Sequence, residues 1–223
     1  MGNIMTSLRE IFETQLTLRS DKWLPYFDVY ETFFSRYRER FSTFVEVGVQ
    51  GGGSMQMWRK YFGTNAKIYG IDIDPAVRDL DLSDANVTII VGDQTKSSFW
   101  DSMLHSIGTI DMFLDDGGHT MDQQINTLLA VWPAIAEGGV YVCEDLHTSY
   151  WSSHGGGFRK PETMIEMCKS LIDLMHINHI SDAEPPAQLL NLFSNVGSIH
   201  FYDSIVVLTK GKPEFVRKIV NDV

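Results

Sequence analysis

The sequence predicts an α/β fold: a Rossmann-like, mostly parallel seven-stranded sheet that ends in an antiparallel C-terminal hairpin. Three observations predict it. From about residue 43 onward, short apolar runs rich in Val, Ile, Tyr and Phe alternate with segments of helical period, the pattern of a parallel sheet covered on both faces. The first apolar run leads into Gly48 and a Gly51-Gly52-Gly53 turn before a helical segment. The last two apolar runs are separated by only Tyr202-Asp203, a link that permits a hairpin but not a crossover.

Residues 1–40 precede the first strand and carry Phe12, Trp23, Tyr26, Phe27, Tyr30, Phe33, Phe34 and Tyr37. They read as a helical, aromatic-rich N-terminal extension that packs on the core or on another subunit, or serves as a lid; residues 41–223 are then the main domain. Strands are expected at Thr43–Val49, Lys67–Ile73, Val87–Val91, Ile110–Asp115 and Val140–Glu144, each a short β-branched or aromatic run. Helices are expected at Ser54–Tyr61, in a short piece near Pro75–Leu80, at Ser97–Ser106 and at Met121–Ala136. Toward the end, Glu162–His176 reads as a helix, Glu184-Pro185-Pro186 as a break, and Ser198–Phe201 with Ser204–Thr209 as the hairpin.

Bulk properties narrow the function. A chain of 223 residues with 43% hydrophobic and 21% charged residues is that of an ordinary globular protein with a sizeable core. A net charge of −11 argues against sequence-independent binding to nucleic acid, because that binding depends on Lys and Arg displacing phosphate counterions. The two cysteines, Cys143 and Cys168, suggest no disulfide framework. No apolar stretch approaches the ~20 residues a membrane span needs, and a cytoplasmic location is expected. Met1-Gly2-Asn3-Ile4-Met5-Thr6 fits the loose myristoylation pattern, which is short enough to match by chance.

The chemistry gathers at strand ends. In a doubly wound sheet the first strand-to-helix turn lies at the switch point where ligands bind. Here it reads Glu46-Val47-Gly48-Val49-Gln50-Gly51-Gly52-Gly53-Ser54. The dinucleotide fingerprint G-x-G-x-x-G is not met. The turn resembles instead the E/D-x-G-x-G-x-G loop of S-adenosylmethionine methyltransferases, with Glu46 and Gly48 matching and Gln50 in place of the second glycine. A tight turn that binds nothing would use the same glycines. The second strand ends at Asp72, about 24 residues beyond Gly48, where an acid can accept bonds from both ribose hydroxyls. The third ends in Gly92-Asp93-Gln94, a place for a polar contact to adenine.

Strand four ends in Asp115-Asp116-Gly117-Gly118-His119 and strand five in Glu144-Asp145-Leu146-His147. Neighbouring strands would bring Asp116, Glu144 and Asp145 into one cleft, and crowded carboxylates repel unless a cation or protons intervene. An all-oxygen set suits Mg²⁺; helix caps and ion pairs would account for the same acids one at a time. His147, Tyr150 and Trp151 follow as candidate acceptor contacts, and Ser152–Gly157 as a hinge or lid.

Together, EVGVQGGGSMQMW, YGIDIDP, GDQ, DDGGHT and EDLHTSYW, in their order and spacing, resemble class I S-adenosylmethionine-dependent methyltransferases of the metal-dependent macrolide-sugar type, the mycinamicin and macrocin enzymes. The closing GSIHFYDSIVVLTKG is similar to that family's hairpin. The resemblance implies S-adenosylmethionine bound by Glu46, Gly48, Gln50, Gly51, Ser54, Asp72, Asp93 and Gln94, and Mg²⁺ held by Asp116, Glu144 and Asp145. It further implies His119 as general base and a small-molecule hydroxyl, on a glycosylated natural product, as methyl acceptor. The mycinamicin-type enzyme carries a large additional domain where this chain has about 40 residues before its first strand; a homo-oligomer is a family-level expectation. A catechol-type acceptor offers the same vicinal oxygens to a metal. A non-catalytic cofactor-binding scaffold is the other alternative, although it would have no use for crowded acids.

Overall fold

The computed structural model describes residues 5–181 and 186–211. The first four residues of the Met1–Thr6 myristoylation pattern and most of the Glu184-Pro185-Pro186 break lie outside the described residues. Seven strands form one sheet in the order β3-β2-β1-β4-β5-β7-β6. Their bounds are β1 Ser42–Val47, β2 Ala66–Asp72, β3 Thr88–Val91, β4 Ile110–Asp115, β5 Ile135–Cys143, β6 Val196–Tyr202 and β7 Ile205–Lys210. β1 to β5 pair in parallel. β7 runs antiparallel to β5, and β6 antiparallel to β7. This is the expected α/β sheet with its terminal hairpin.

The helices are α1 Leu8–Thr14, α2 Tyr26–Phe34, α3 Gly53–Phe62, α4 Ser97–Ile107, α5 Met121–Val131, α6 Met164–Met175 and α7 Ala187–Phe193. Strand alternation sorts the core into two layers. Phe44, Met112, Leu114, Val140, Val142, Ile205 and Val207 face α1, α2 and α3. Their neighbours Val45, Phe113, Tyr141, Cys143, Val206 and Leu208 face α4 to α7. The N-terminal aromatics other than Trp23 join the first layer, where Phe34 lies in edge contact with Phe44, Trp58 and Phe62 and stacks on Tyr30.

Several boundaries differ from expectation: β1 ends at Val47, two residues early, β5 begins at Ile135, five residues before the expected Val140, and α6 begins at Met164. The Met121–Ala136 helix stops at Val131 because Pro133 has no N–H for the next helical bond; the chain closes in a 3-10 turn, Trp132–Ala134, and β5 begins at Ile135. Capping does set the start of α5: Thr120 and Gln123 form a reciprocal capping box. β6 starts at Val196, earlier than the apolar run suggests, because its register shifts between Val196 and Ser198 and breaks the alternation. The hairpin turn centres on Asp203-Ser204, with Ser204 in the left-handed region.

Candidate active site

The carboxyl ends of β1 to β5 open on one cleft of about 570 Å³, within the size range of small-molecule sites. One side is the β1 turn, lined by Gly48, Val49, Gln50 and Ser54, with Asp72, Asp93 and Gln94 from the ends of β2 and β3. The Asp72 carboxylate organises this side: Oδ2 accepts the backbone N–H of Val49 (3.0 Å) and of Gln50 (2.9 Å), and Oδ1 accepts that of Asp74 (2.9 Å). Asp93 lines the floor, its carboxyl held below the usual range by the Thr95 backbone and hydroxyl. Gln94 is buried and ties β3 to β4, donating to Asp115 (3.1 Å) and Thr127 (3.0 Å) and accepting from Gly118 N–H (3.1 Å).

The glycines of the β1 turn do two different jobs. Gly48 has φ +98°, and a Cβ there would stand 1.9 Å from the Asp116 carbonyl oxygen, so it permits β1 and β4 loops to touch. Gly51 and Gly53 make room for the N-terminal segment: a Cβ would meet the Arg19 carbonyl oxygen at 2.6 Å from Gly51 and the Leu18 carbonyl oxygen at 2.5 Å from Gly53. Gly51 and Glu46 therefore stand behind the cleft rather than on its lining. Glu46 is fully buried, accepting from the Trp58 indole (3.1 Å) and Lys22 (3.2 Å). Burial, opposed by the nearby ammonium, pushes its carboxyl up to about 7.

The other side of the cleft holds the acids. Asp116, His119 and Asp145 bring one ligand atom each within 4.8 Å of the others, the one such grouping among the described residues. His119 Nε2 lies 3.4 Å from Asp145 Oδ2 and 4.0 Å from Asp116 Oδ1. Both His119 (φ 57°) and Asp145 (φ 55°) occupy the left-handed region, which a non-glycine residue adopts at a cost and which clusters at working sites. Thr148 holds the His119 carbonyl (2.8 Å), and the His119 Nδ1 is buried without a hydrogen-bond partner. Two carboxylates with an adjoining imidazole provide hard oxygen donors fit for a divalent cation beside a proton acceptor.

Glu144 stands apart from that trio. Its Oε1 accepts from the Tyr30 hydroxyl and from Lys22 Nζ (3.1 Å). Lys22, which sequence reasoning missed, also bonds Asp116 Oδ2 and Glu46 Oε1. Burial alone would lower the Lys22 ammonium, but Asp116, Glu144, Tyr30 and Glu46 together raise it well above its ordinary range. Burial likewise raises Asp116 and Glu144, with the charge of Lys22 pulling both back. Tyr26 donates to Asp145 Oδ1 (2.8 Å) and to the Ser204 carbonyl (3.2 Å). The spacing of Tyr26 and Tyr30 by four residues on a helix was a readable signal for one shared face; nothing in the sequence marked Lys22.

At the rim, the His147 ring stacks on Trp23 (4.9 Å, 8° between planes) and meets Trp151 edge-on (4.6 Å). Its Nδ1 lies 2.6 Å from Ser204 Oγ. Trp23 lines the cleft, whereas His147, Tyr150 and Trp151 lie outside its lining. Ser152–Gly157 is folded back on the preceding turn, with Gly156 N–H donating to Trp151 and Gly157 N–H to Ser149 (both 2.8 Å).

Comparison with known proteins agrees with this architecture. Residues 45–146 match the family model of a methyltransferase domain. The chain is 35% identical over 202 residues to 8-demethyl-8-alpha-L-rhamnosyl tetracenomycin-C 2'-O-methyltransferase of Streptomyces olivaceus, covering 86% of this chain and 52% of that protein. It is 30% identical over 193 residues to mycinamicin VI 2''-O-methyltransferase of Micromonospora griseorubida, covering 82% and 47%. Among solved structures, a methyltransferase of the mycinamycin biosynthetic pathway, in complex with Mg, SAH and mycinamycin VI, superimposes with a TM-score of 0.78 at 27% identity. That match covers 94% of this chain and 54% of the other. The chain thus spans about half the length of the curated relatives it matches.

Proposed function

We propose that the chain, which matches a methyltransferase-domain model over residues 45–146, is a Mg²⁺-dependent O-methyltransferase. It moves a methyl group from S-adenosylmethionine to a hydroxyl of a glycosylated natural product. The observation that carries this reading is the convergence of Asp116, Asp145 and His119 in the cleft that the β1 turn and Asp72 also line. The O-methyltransferases named above are 30–35% identical to the chain along most of its length, and the mycinamycin-pathway neighbour holds Mg and SAH.

In this reading the donor's adenosine lies along the β1 turn. Asp72, its conformation set by the backbone N–H groups of Val49, Gln50 and Asp74, keeps one acceptor site on Oδ1 for a ribose hydroxyl, and Gly48, Gln50 and Ser54 shape the wall. Asp93 and Gln94 border the adenine end. Asp116, Glu144 and Asp145 would hold the Mg²⁺, Glu144 on turning from its contacts with Lys22 and Tyr30. When bound, the cation would acidify and orient the acceptor hydroxyl. His119 accepts the hydroxyl proton at Nε2, and Asp145 at 3.4 Å stabilises the imidazolium that results. The acceptor oxygen bonds to the methyl carbon as the carbon–sulfur bond breaks, its electron pair staying on sulfur. Positioning supplies much of the rate, since the sulfonium is already activated.

The test is transfer of labelled methyl to a panel of rhamnosylated polyketides, macrolide glycosides and catechols. Transfer to the glycosides that falls by about 10²–10⁴-fold in His119→Ala supports the reading. Transfer confined to the catechols would reassign the acceptor class, and binding of S-adenosylmethionine with no transfer to any acceptor would favour a scaffold.

A further inference from the structure

One aromatic side chain of the N-terminal segment is left out of the core. Trp23 lies on the lining of the cleft and is 48% exposed, whereas Tyr26, Phe27, Tyr30 and Phe34 are buried. Its exposure does not leave it loose. The indole stacks on the His147 imidazole (4.9 Å between centroids, 8° between planes) and on the Tyr26 ring (5.6 Å, 23°). Both supporting rings are tied to Ser204 in the β6–β7 turn. Tyr26 donates to its carbonyl (3.2 Å), and His147 Nδ1 lies 2.6 Å from its hydroxyl oxygen. Trp151 meets His147 edge-on (4.6 Å). The Trp23 ring is therefore held in place before anything binds, so ordering it costs a ligand little.

The same contacts set Trp23 beside the reacting groups. Tyr26 donates to Asp145 Oδ1 at 2.8 Å, and Asp145 Oδ2 lies 3.4 Å from His119 Nε2. An acceptor whose hydroxyl meets His119 carries the ring that bears it into the space that His119 and Trp23 both line. Ser20 and Asp21, just before Trp23 in the chain, line the cleft as well, so an aromatic face adjoins polar groups. That combination suits a pyranose, which has an apolar C–H face and a rim of hydroxyls; tryptophan offers it a large, rigid, amphipathic contact area. A catechol with both oxygens turned to the metal has no further hydroxyl for Ser20 or Asp21. We propose that Trp23 is the stacking platform for the sugar ring of the acceptor, with His147, Tyr26 and Ser204 holding the indole in place. The proposal rests on the O-methyltransferase reading above and names what recognises its acceptor. It moves acceptor contact from Tyr150 and Trp151, which lie outside the lining, to the segment before β1.

Binding and turnover are read separately on the full chain. Binding of methyl α-L-rhamnopyranoside is measured by saturation-transfer NMR with Mg²⁺ and S-adenosylhomocysteine present, and methyl transfer is measured to a rhamnosylated polyketide. In Trp23→Ala the rhamnoside Kd and the glycoside KM both rise about tenfold, while kcat and affinity for S-adenosylmethionine stay within about threefold. Trp23→Phe, which keeps a ring, stays within about threefold of the native protein in each quantity. Should Trp23→Ala fail to fold, Trp23→Leu, apolar but without a ring, takes its place with the same expected rise. An unchanged Kd and KM in the folded variant overturns the proposal and leaves the methyltransferase reading standing. Weaker donor binding with acceptor binding unchanged overturns it too, as does a KM that rises for the glycoside while the rhamnoside Kd does not. Rhamnoside binding that depends on Trp23, in a native protein that transfers no methyl group, supports the platform and removes the catalytic reading. A native protein that binds no rhamnoside removes the proposal, whatever it methylates.

Discussion

At the scale of single residues, the site is built from side chains that ordinary packing would not choose. Gln50, His119, Asp145 and Ser204 all take left-handed backbone, and around the cleft Glu46, Asp116 and Glu144 are acids pushed toward their neutral forms by burial. The acids and His119 were legible in sequence because each follows directly on an apolar strand, and the fold brings strand ends together. Lys22 was not legible, since a lone lysine among aromatics reads as a solvated residue until the chain is folded back over the sheet. Glu46 was read as a cofactor contact from its place in the loop motif, yet it lies beneath the loop, where Trp58 and Lys22 claim it. Away from the site, burial pushes the Cys168 thiol up to about 12. Its folded value lies above its unfolded one, so its contribution to stability is full below the ordinary thiol range and fades as pH rises from about 9 toward 12. Iodoacetamide at pH 9 is expected to alkylate Cys168 at least about a hundredfold more slowly in the native protein than in urea; equal rates would show the thiol to be accessible.

At the scale of elements, the strands were readable because β-branched and aromatic runs here are short and sharply bounded. The errors fell where a local rule outranked the period. Pro133 ended α5 early, a register shift lengthened β6, and α7 is too short for its apolar spacing to stand out between a proline break and a strand. The N-terminal segment was readable as aromatic and helical, but which layer it joins depends on tertiary packing. Phe34 lies fully buried among Tyr30, Phe44, Trp58 and Phe62. Phe34→Ala is therefore expected to lower unfolding free energy by about 3–5 kcal/mol in a denaturant titration. A loss below about 1 kcal/mol would mean that α2 is not an integral part of the core. Gly48→Ala combines a positive φ with a Cβ 1.9 Å from the Asp116 carbonyl oxygen. It should cost about 2–4 kcal/mol and displace the Asp116 loop, seen as weaker divalent-ion binding in the folded fraction.

At the scale of the whole molecule, one side of the sheet carries α1 to α3 and the other α4 to α7, and the cleft opens along the carboxyl edge between them. No helix among the described residues is long and apolar enough to cross a membrane, and the net charge of −11 leaves little attraction for a polyanion. The segment before β1 has its aromatics other than Trp23 in or against the main core and its Lys22 in the acid cluster, which supports reading it as a wall of the site. Acceptor identity was the least legible property, because sugars and catechols present the same pair of oxygens to the same residues. The most direct test of the central claim is methyl transfer from labelled S-adenosylmethionine to a rhamnosylated polyketide, run with Mg²⁺, with EDTA, and with EDTA followed by excess Mg²⁺. The account predicts transfer with Mg²⁺, its loss in EDTA, and its return when Mg²⁺ is restored. Transfer that continues undiminished in EDTA would contradict it.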